Sequence, residues 1–142
     1  MKKMCLLTIG VLASATVLAA EPFNGTQPMD CEPAAGHDCL PTEATCKPLK
    51  PEPGKKLNVH IDVANMSIKT PYRNDAVPIS SFSFNAKSLV MQGQASELVW
   101  SATVHRTTGK FTMAIADREG AYVVFGQCKV ATAPAAPAPK KQ

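Results

Sequence analysis

The stretch ELVWSATVHRTTGKFTMAIAD, residues 97–117, carries the clearest fold signal in the chain. Apolar and polar residues alternate on both sides of a short turn, which is the period-two pattern of half-buried antiparallel strands. Gly109 can adopt the positive φ that closes such a turn. The alternation places Trp100 in the core. The predicted hairpin has three core-facing pairs: Val104 with Phe111, Ala102 with Met113, and Trp100 with Ile115.

The same alternation recurs at regular intervals over residues 57–130. The predicted strands are 57–63, 66–69, 79–85, 87–92, 97–106, 110–117 and 121–128. Many short strands separated by turn residues are typical of a small antiparallel sandwich or a barrel-like meander. We therefore expect an all-β domain over residues 57–130. The turn before the last strand should place Tyr122 near Ile115 and direct Cys128 towards the core.

The outer face of these strands is also apolar. It carries Val99, Ala114, Ala116, Val123 and Phe125. Such a surface is unusual in a monomer and predicts that a second sheet, the cysteine-rich segment or a partner covers it.

Residues 1–20 have the layout of a secretory signal peptide, in which Lys2 and Lys3 precede an apolar run that ends in small residues. The run is short for a membrane span of about 20 residues and contains several polar side chains, so a permanent anchor is the weaker alternative. Cleavage would remove both lysines and Cys5, which lowers the formal charge from +4 to +2 and leaves four of the five cysteines. We expect a periplasmic or secreted protein without a membrane anchor after cleavage.

Three of those cysteines lie in CEPAAGHDCLPTEATC, residues 31–46. An even number of cysteines in a short exported chain favours disulfides. A zinc site would use Cys31, His37, Cys39 and Cys46. This alternative is weaker because the spacing lacks a short chelating loop and leaves Cys128 unpaired. The chain has no C-x-x-C motif, so a redox pair is the least favoured reading.

Four cysteines allow three connectivities, and the sequence does not choose among them. The preferred hypothesis is one local ring within residues 31–46 and one long bridge to Cys128, because long loops gain more in the chain-entropy model. Seven prolines over residues 21–56 predict a stapled segment without regular strands. The alanine and proline tail at residues 131–142 should be disordered.

No motif predicts a catalytic, cofactor-binding or metal-binding residue. His105 beside Arg106, at the end of the central hairpin, is a candidate interaction site for an anion, although two such residues next to a turn are more often simply exposed. The low mature charge and the dispersed lysines argue against nucleic-acid binding.

Several segments together resemble a group of small exported proteobacterial proteins of unknown function. They are FNG at residues 23–25, the cysteine trio, LVMQG at 89–93, VWSATVHRTTGKFT at 99–112 and VVFGQC at 123–128. The resemblance covers most of the mature chain. It implies a secreted, cysteine-paired β domain and supplies neither an activity nor site residues.

The sequence therefore predicts a non-enzymatic binding or interaction protein with an unidentified protein partner. The alternative is an inhibitor or immunity-type protein that acts against a cell-wall hydrolase or a toxin. Periplasmic lysozyme inhibitors share the size and class, but their S-G-x-x-Y type of inhibitory loop is missing from this sequence.

Overall fold

The structure is a computed structural model that describes residues 21–50, 53–54, 57–71 and 75–131. The predicted signal peptide lies outside the described residues, and so does the predicted tail apart from Ala131. Predictions about those two segments stay predictions.

The described residues form ten strands and no helix, which confirms the all-β expectation. The strands are β1 Met29–Cys39, β2 Lys47–Pro48, β3 Val59–Asp62, β4 Ser67–Lys69, β5 Val77–Pro78, β6 Ser81–Phe84, β7 Ser88–Ala95, β8 Leu98–His105, β9 Lys110–Ala116 and β10 Ala121–Val130. All paired strands are antiparallel.

The strands belong to one sheet that curls into a half-barrel. Their order is β5-β4-β3-β1-β10-β9-β8-β7-β6, with β2 beside β1. The two ends of this order, β5 and β6, are consecutive in the chain and are joined by Ile79 and Ser80. The amide of Ile79 donates to the Met66 carbonyl at 2.8 Å, and the amide of Ser80 donates to the Gln92 carbonyl at 2.9 Å. The predicted strand 79–85 is therefore shorter, because its first two residues cross from one end of the sheet to the other.

The central hairpin has the predicted register. Val104 faces Phe111, Ala102 faces Met113, and Trp100 faces Ile115. Gly109 closes the turn with a φ of 71°. Tyr122 pairs with Ile115 across β9 and β10, as the sequence predicts.

The prediction that residues 21–56 contain no regular strand is wrong for Met29–Cys39. This segment is an inner strand of the sheet, hydrogen-bonded to β3 and to β10. The strand accommodates Pro33 at a register shift, where Pro33 pairs with Gly126 and Ala35 pairs with Phe125, so that Ala34 is an extra residue. Such a bulge tolerates a proline that a regular inner strand would exclude.

The disulfide hypothesis is confirmed. Cys31 is bonded to Cys128 across β1 and β10, and Cys39 is bonded to Cys46 in a local ring. These bonds use the thiols that the zinc alternative required, so that alternative is wrong. Two disulfides indicate a non-reducing, extracytoplasmic environment. Among the described residues, no helix has the length and apolar character of a membrane span.

The long bridge lies in the core, where Cys31 and Cys128 are almost fully buried. Around it pack the inward-facing residues of most strands, and Trp100 is among them, as predicted. The largest side chains with almost no exposure are Phe111, Met29, Ile61, Ile68, Leu89, Met91 and Val104. Part of this core, including Ile68 and Trp100, also lines the cavity described below.

Candidate functional site

A cavity of about 1010 Å³ opens on the concave side of the half-barrel. Cavities of several hundred cubic ångströms with mostly apolar walls are typical of small-molecule sites. One wall comes from β8, β9 and β10, and the opposite wall from β3 to β5. The inner strand β1 joins the two walls between β3 and β10, and β2 lies beside it at the lip. The principal apolar residues are Leu57, Val59, Ile68, Val77, Leu98, Trp100, Met113, Ile115 and Val124.

One row of cavity-lining residues across four neighbouring strands contains three polar side chains and one apolar one. The row consists of Trp100 on β8, Ile115 on β9, Tyr122 on β10 and Asp38 on β1. Each residue is directly opposite the next, and all four line the cavity. Adjacent strands are about 4.8 Å apart, so the row spans about 14 Å from the indole to the carboxylate.

The bulge in β1 decides which residues of that strand face the cavity. In a regular strand every second residue faces the same side, so Cys31 facing inward would place His37 inward as well. The extra residue Ala34 shifts the alternation, and Gly36 and Asp38 line the cavity instead. The cavity therefore has a carboxylate in this wall, and His37 is exposed.

Trp100 forms one end of the row. Its side chain is 4% exposed, and its indole Nε1 has no hydrogen-bond partner within the described part of the chain. A buried donor without a partner costs about 1–3 kcal/mol. Gly93, its neighbour on β7, lets the ring approach the backbone, because a Cβ there would lie 2.6 Å from the indole carbon Cζ2.

Asp38 and Tyr122 form the other end. The Asp38 oxygen Oδ1 is buried and has no hydrogen-bond partner among the described residues. The Asp38 carboxylate raises the pKa of the Tyr122 hydroxyl, and burial adds to this effect. Asp117 and Glu119 raise the pKa of Tyr122 further. The electrostatic potential at the Tyr122 hydroxyl is therefore negative.

Two lysines lie at the lip of the cavity. Lys47 is directly opposite Asp38 on β2, and its ammonium forms an ion pair with Glu43. That carboxylate raises the pKa of Lys47, first through the hydrogen bond and then through its charge. Lys50 also lines the cavity. Asp38 raises the pKa of Lys47 more weakly than Glu43 does, so the ammonium is paired mainly with Glu43.

The candidate interaction pair His105 and Arg106 lies away from the cavity and makes contacts within the chain. His105 Nδ1 is the acceptor for the amides of Thr107 and Thr108, at 3.3 and 3.2 Å. Arg106 forms an ion pair with Glu21 at 2.6 Å and donates to the Asn85 carbonyl. An interaction site at His105 and Arg106 stays a prediction.

The cavity is not evident from the sequence. The alternation along the last three strands places Trp100, Ile115 and Tyr122 on one face, but it does not place Asp38 beside them. The position of Asp38 was partly predictable. If Cys31 is bonded to Cys128 on an antiparallel neighbour, the residues around Cys39 lie near the start of the last strand. The bulge at Ala34 has no clear sequence signature, and it sets the register at Asp38.

The comparisons with known proteins give no match. No protein-family model, no curated protein and no solved structure matches the chain. Its class is therefore defined by its own features: a disulfide-bonded, antiparallel half-barrel with an apolar cavity.

Proposed function

We propose that this chain is a non-enzymatic binding protein that holds a small, mostly apolar molecule in the half-barrel cavity. The observation that supports this proposal most directly is the cavity itself, about 1010 Å³ with mostly apolar walls. A ligand that fills it would remove apolar surface from water, which stabilises a complex by about 25 cal/mol per Å². The Trp100 ring and the Asp38 carboxylate, at the two ends of the row, would fix its orientation.

The proposed compartment is the periplasm or the extracellular space. The two disulfides and the signal-like residues 1–20 support it. In such a compartment, a small binding protein needs its covalent cross-links because its core is modest.

A fluorescent probe tests the binding function. N-phenyl-1-naphthylamine is neutral, apolar and brightly fluorescent only in an apolar environment. The chain has a single tryptophan, and Trp100 lines the cavity. We expect saturable binding of the probe with energy transfer from Trp100.

Adjacent valines on β10 provide the matched variants. Val124 lines the cavity, whereas Val123 points to the outer face. Val124→Phe should place a bulkier side chain in the volume that the ligand would occupy and lower the affinity for the probe by about tenfold, which corresponds to about 1.4 kcal/mol. Val123→Phe should leave the affinity unchanged. Equal affinity in both variants would contradict the proposal.

A second candidate is an interaction with a protein partner, including inhibition of a hydrolase or toxin. The apolar outer face supports it, because Val99 is 56% exposed and Phe125 is 43% exposed. Exposed apolar patches often mark interfaces. A turbidity assay with lysozyme or an amidase tests the inhibitor. Suppression that Val99→Lys abolishes would favour this candidate, and full hydrolase activity in the presence of excess protein would count against it.

A further inference from the structure

The charge distribution around the cavity indicates which polar group its ligand carries. This inference rests on the proposed binding function and deepens it. Asp38 and Asp117 line the cavity, and Glu119 follows close behind on the turn. All three carboxylates raise the pKa of the Tyr122 hydroxyl through their negative charge. A cation placed beside this hydroxyl would be attracted by all of them.

We propose that the cavity selects elongated apolar amines, whose protonated amino group pairs with the Asp38 carboxylate. Asp38 is half-buried and lines the cavity. An ammonium group beside it forms a charge-assisted hydrogen bond with the carboxylate. An anionic head would instead bring like charges together and leave the acceptor unpaired.

The shape of the cavity fits the apolar part of such a ligand. From Asp38, the row leads past Tyr122 and Ile115 to Trp100, over about 14 Å. The next row towards the core is apolar and contains Met113 and Val124. An alkyl or aryl body that extends from the carboxylate towards the indole would lie on these side chains.

The lysines at the lip do not reverse this preference. Lys47 faces Asp38 on β2, and Asp38 contributes to the rise in the pKa of Lys47, but the larger contributions come from Glu43, which forms the ion pair with its ammonium. Lys50 is exposed and lies at the edge of the cavity. Exposed charges are screened by solvent and salt, whereas the half-buried carboxylate of Asp38 is screened less.

Displacement of N-phenyl-1-naphthylamine at neutral pH tests the selectivity. The competitors are decylamine and decanoate, which have chains of the same length and heads of opposite charge. We expect decylamine to displace the probe at a concentration at least about tenfold lower than decanoate, since a hydrogen bond to a charged group is among the stronger polar contacts.

Two variants on β1 separate the site from general charge effects. Asp38→Asn keeps the size of the side chain and should abolish the preference for the amine. Asp30→Asn removes the same charge from an exposed position on the same strand and should keep it. Far-UV circular dichroism and the melting temperature check that both variants are folded.

The outcomes distinguish this inference from the proposed function. If decanoate displaces the probe as well as decylamine, or if Asp38→Asn keeps the preference, the amine selectivity is wrong while the cavity still binds apolar molecules. If the probe does not bind, or binds Val124→Phe as well as the unmodified protein, the binding function itself is contradicted and the selectivity falls with it.

Discussion

Asp38 and Tyr122 lie directly opposite each other on β1 and β10, and the carboxylate raises the pKa of the phenol. β1 and β10, the first and last of the ten strands in chain order, thus meet at the polar end of the cavity. The pairing depends on the bulge at Ala34, which turns Asp38 inward. A feature of the chain that is local in sequence therefore determines the chemistry of the site.

The first prediction concerns the titration of Tyr122. Its pKa should lie above the ordinary tyrosine value, and Asp38→Asn should lower it, because Asp38 is the largest cause of the shift. Ultraviolet absorbance of the phenolate measures the titration. The chain has one other tyrosine, so the experiment uses a Tyr72→Phe background.

The raised pKa also has a consequence for stability. Since the folded state holds this proton more tightly than the unfolded state, the free energy of unfolding should fall as the pH rises from the unfolded tyrosine pKa, about 10, to the higher folded value. The fall should be smaller in Asp38→Asn. A pKa of Tyr122 that does not respond to this substitution would contradict the assigned contact.

The second prediction separates the roles of the two disulfides. The Cys31–Cys128 bridge has a sequence separation of 97 and the Cys39–Cys46 bridge one of 7. In the chain-entropy model these loops contribute about 4.7 and about 2.5 kcal/mol. The double variant Cys31→Ala/Cys128→Ala should therefore lower the melting temperature much more than Cys39→Ala/Cys46→Ala.

The third prediction is that the short disulfide matters more for binding than for folding. Cys39 follows Asp38, and Cys46 precedes Lys47, so the ring holds the lip of the cavity. The Cys39→Ala/Cys46→Ala variant should stay folded and lose affinity for N-phenyl-1-naphthylamine by several-fold. Unchanged affinity together with a large drop in melting temperature would show that the ring is structural alone.

The fourth prediction concerns Gly93, which lies against Trp100. A Cβ at this position would be 2.3 Å from the Pro78 carbonyl and 2.6 Å from the indole. Gly93→Ala should destabilise the protein by roughly 1–3 kcal/mol, the usual effect of overpacking, and shift the Trp100 emission. Denaturant unfolding measures the loss. Gln94→Ala, an exposed neighbour on the same strand, is the control and should change little.

Much of the sheet was predictable because its signals are local. The turn around Gly109 and the alternation on each side set the register of β8 and β9, down to the pair of Trp100 and Ile115. The long bridge to Cys128 was the preferred hypothesis because of its loop length, and the structure supplies its partner, Cys31. These features depend on residues that are close in sequence or on a covalent bond.

The rest depends on tertiary pairing. The composition of Met29–Cys39, with Pro33 and Gly36, does not favour a strand. The segment forms one because it is hydrogen-bonded to β3 and β10 in the folded sheet. The crossing at Ile79 and Ser80 likewise requires both ends of the sheet to be in place. The cavity is the product of these two features, so no single stretch of sequence indicates it.

The indole N–H resonance of Trp100 provides the most direct test of the central claim that the cavity binds an apolar ligand. The chain has one tryptophan, so a nitrogen–proton correlation spectrum contains one indole peak. Titration with decylamine should move this peak progressively to saturation, and it should not move in Val124→Phe. A peak that stays in place while amides of the outer face, such as those of Val99 and Phe125, shift would contradict the cavity and point to the outer face as the binding surface.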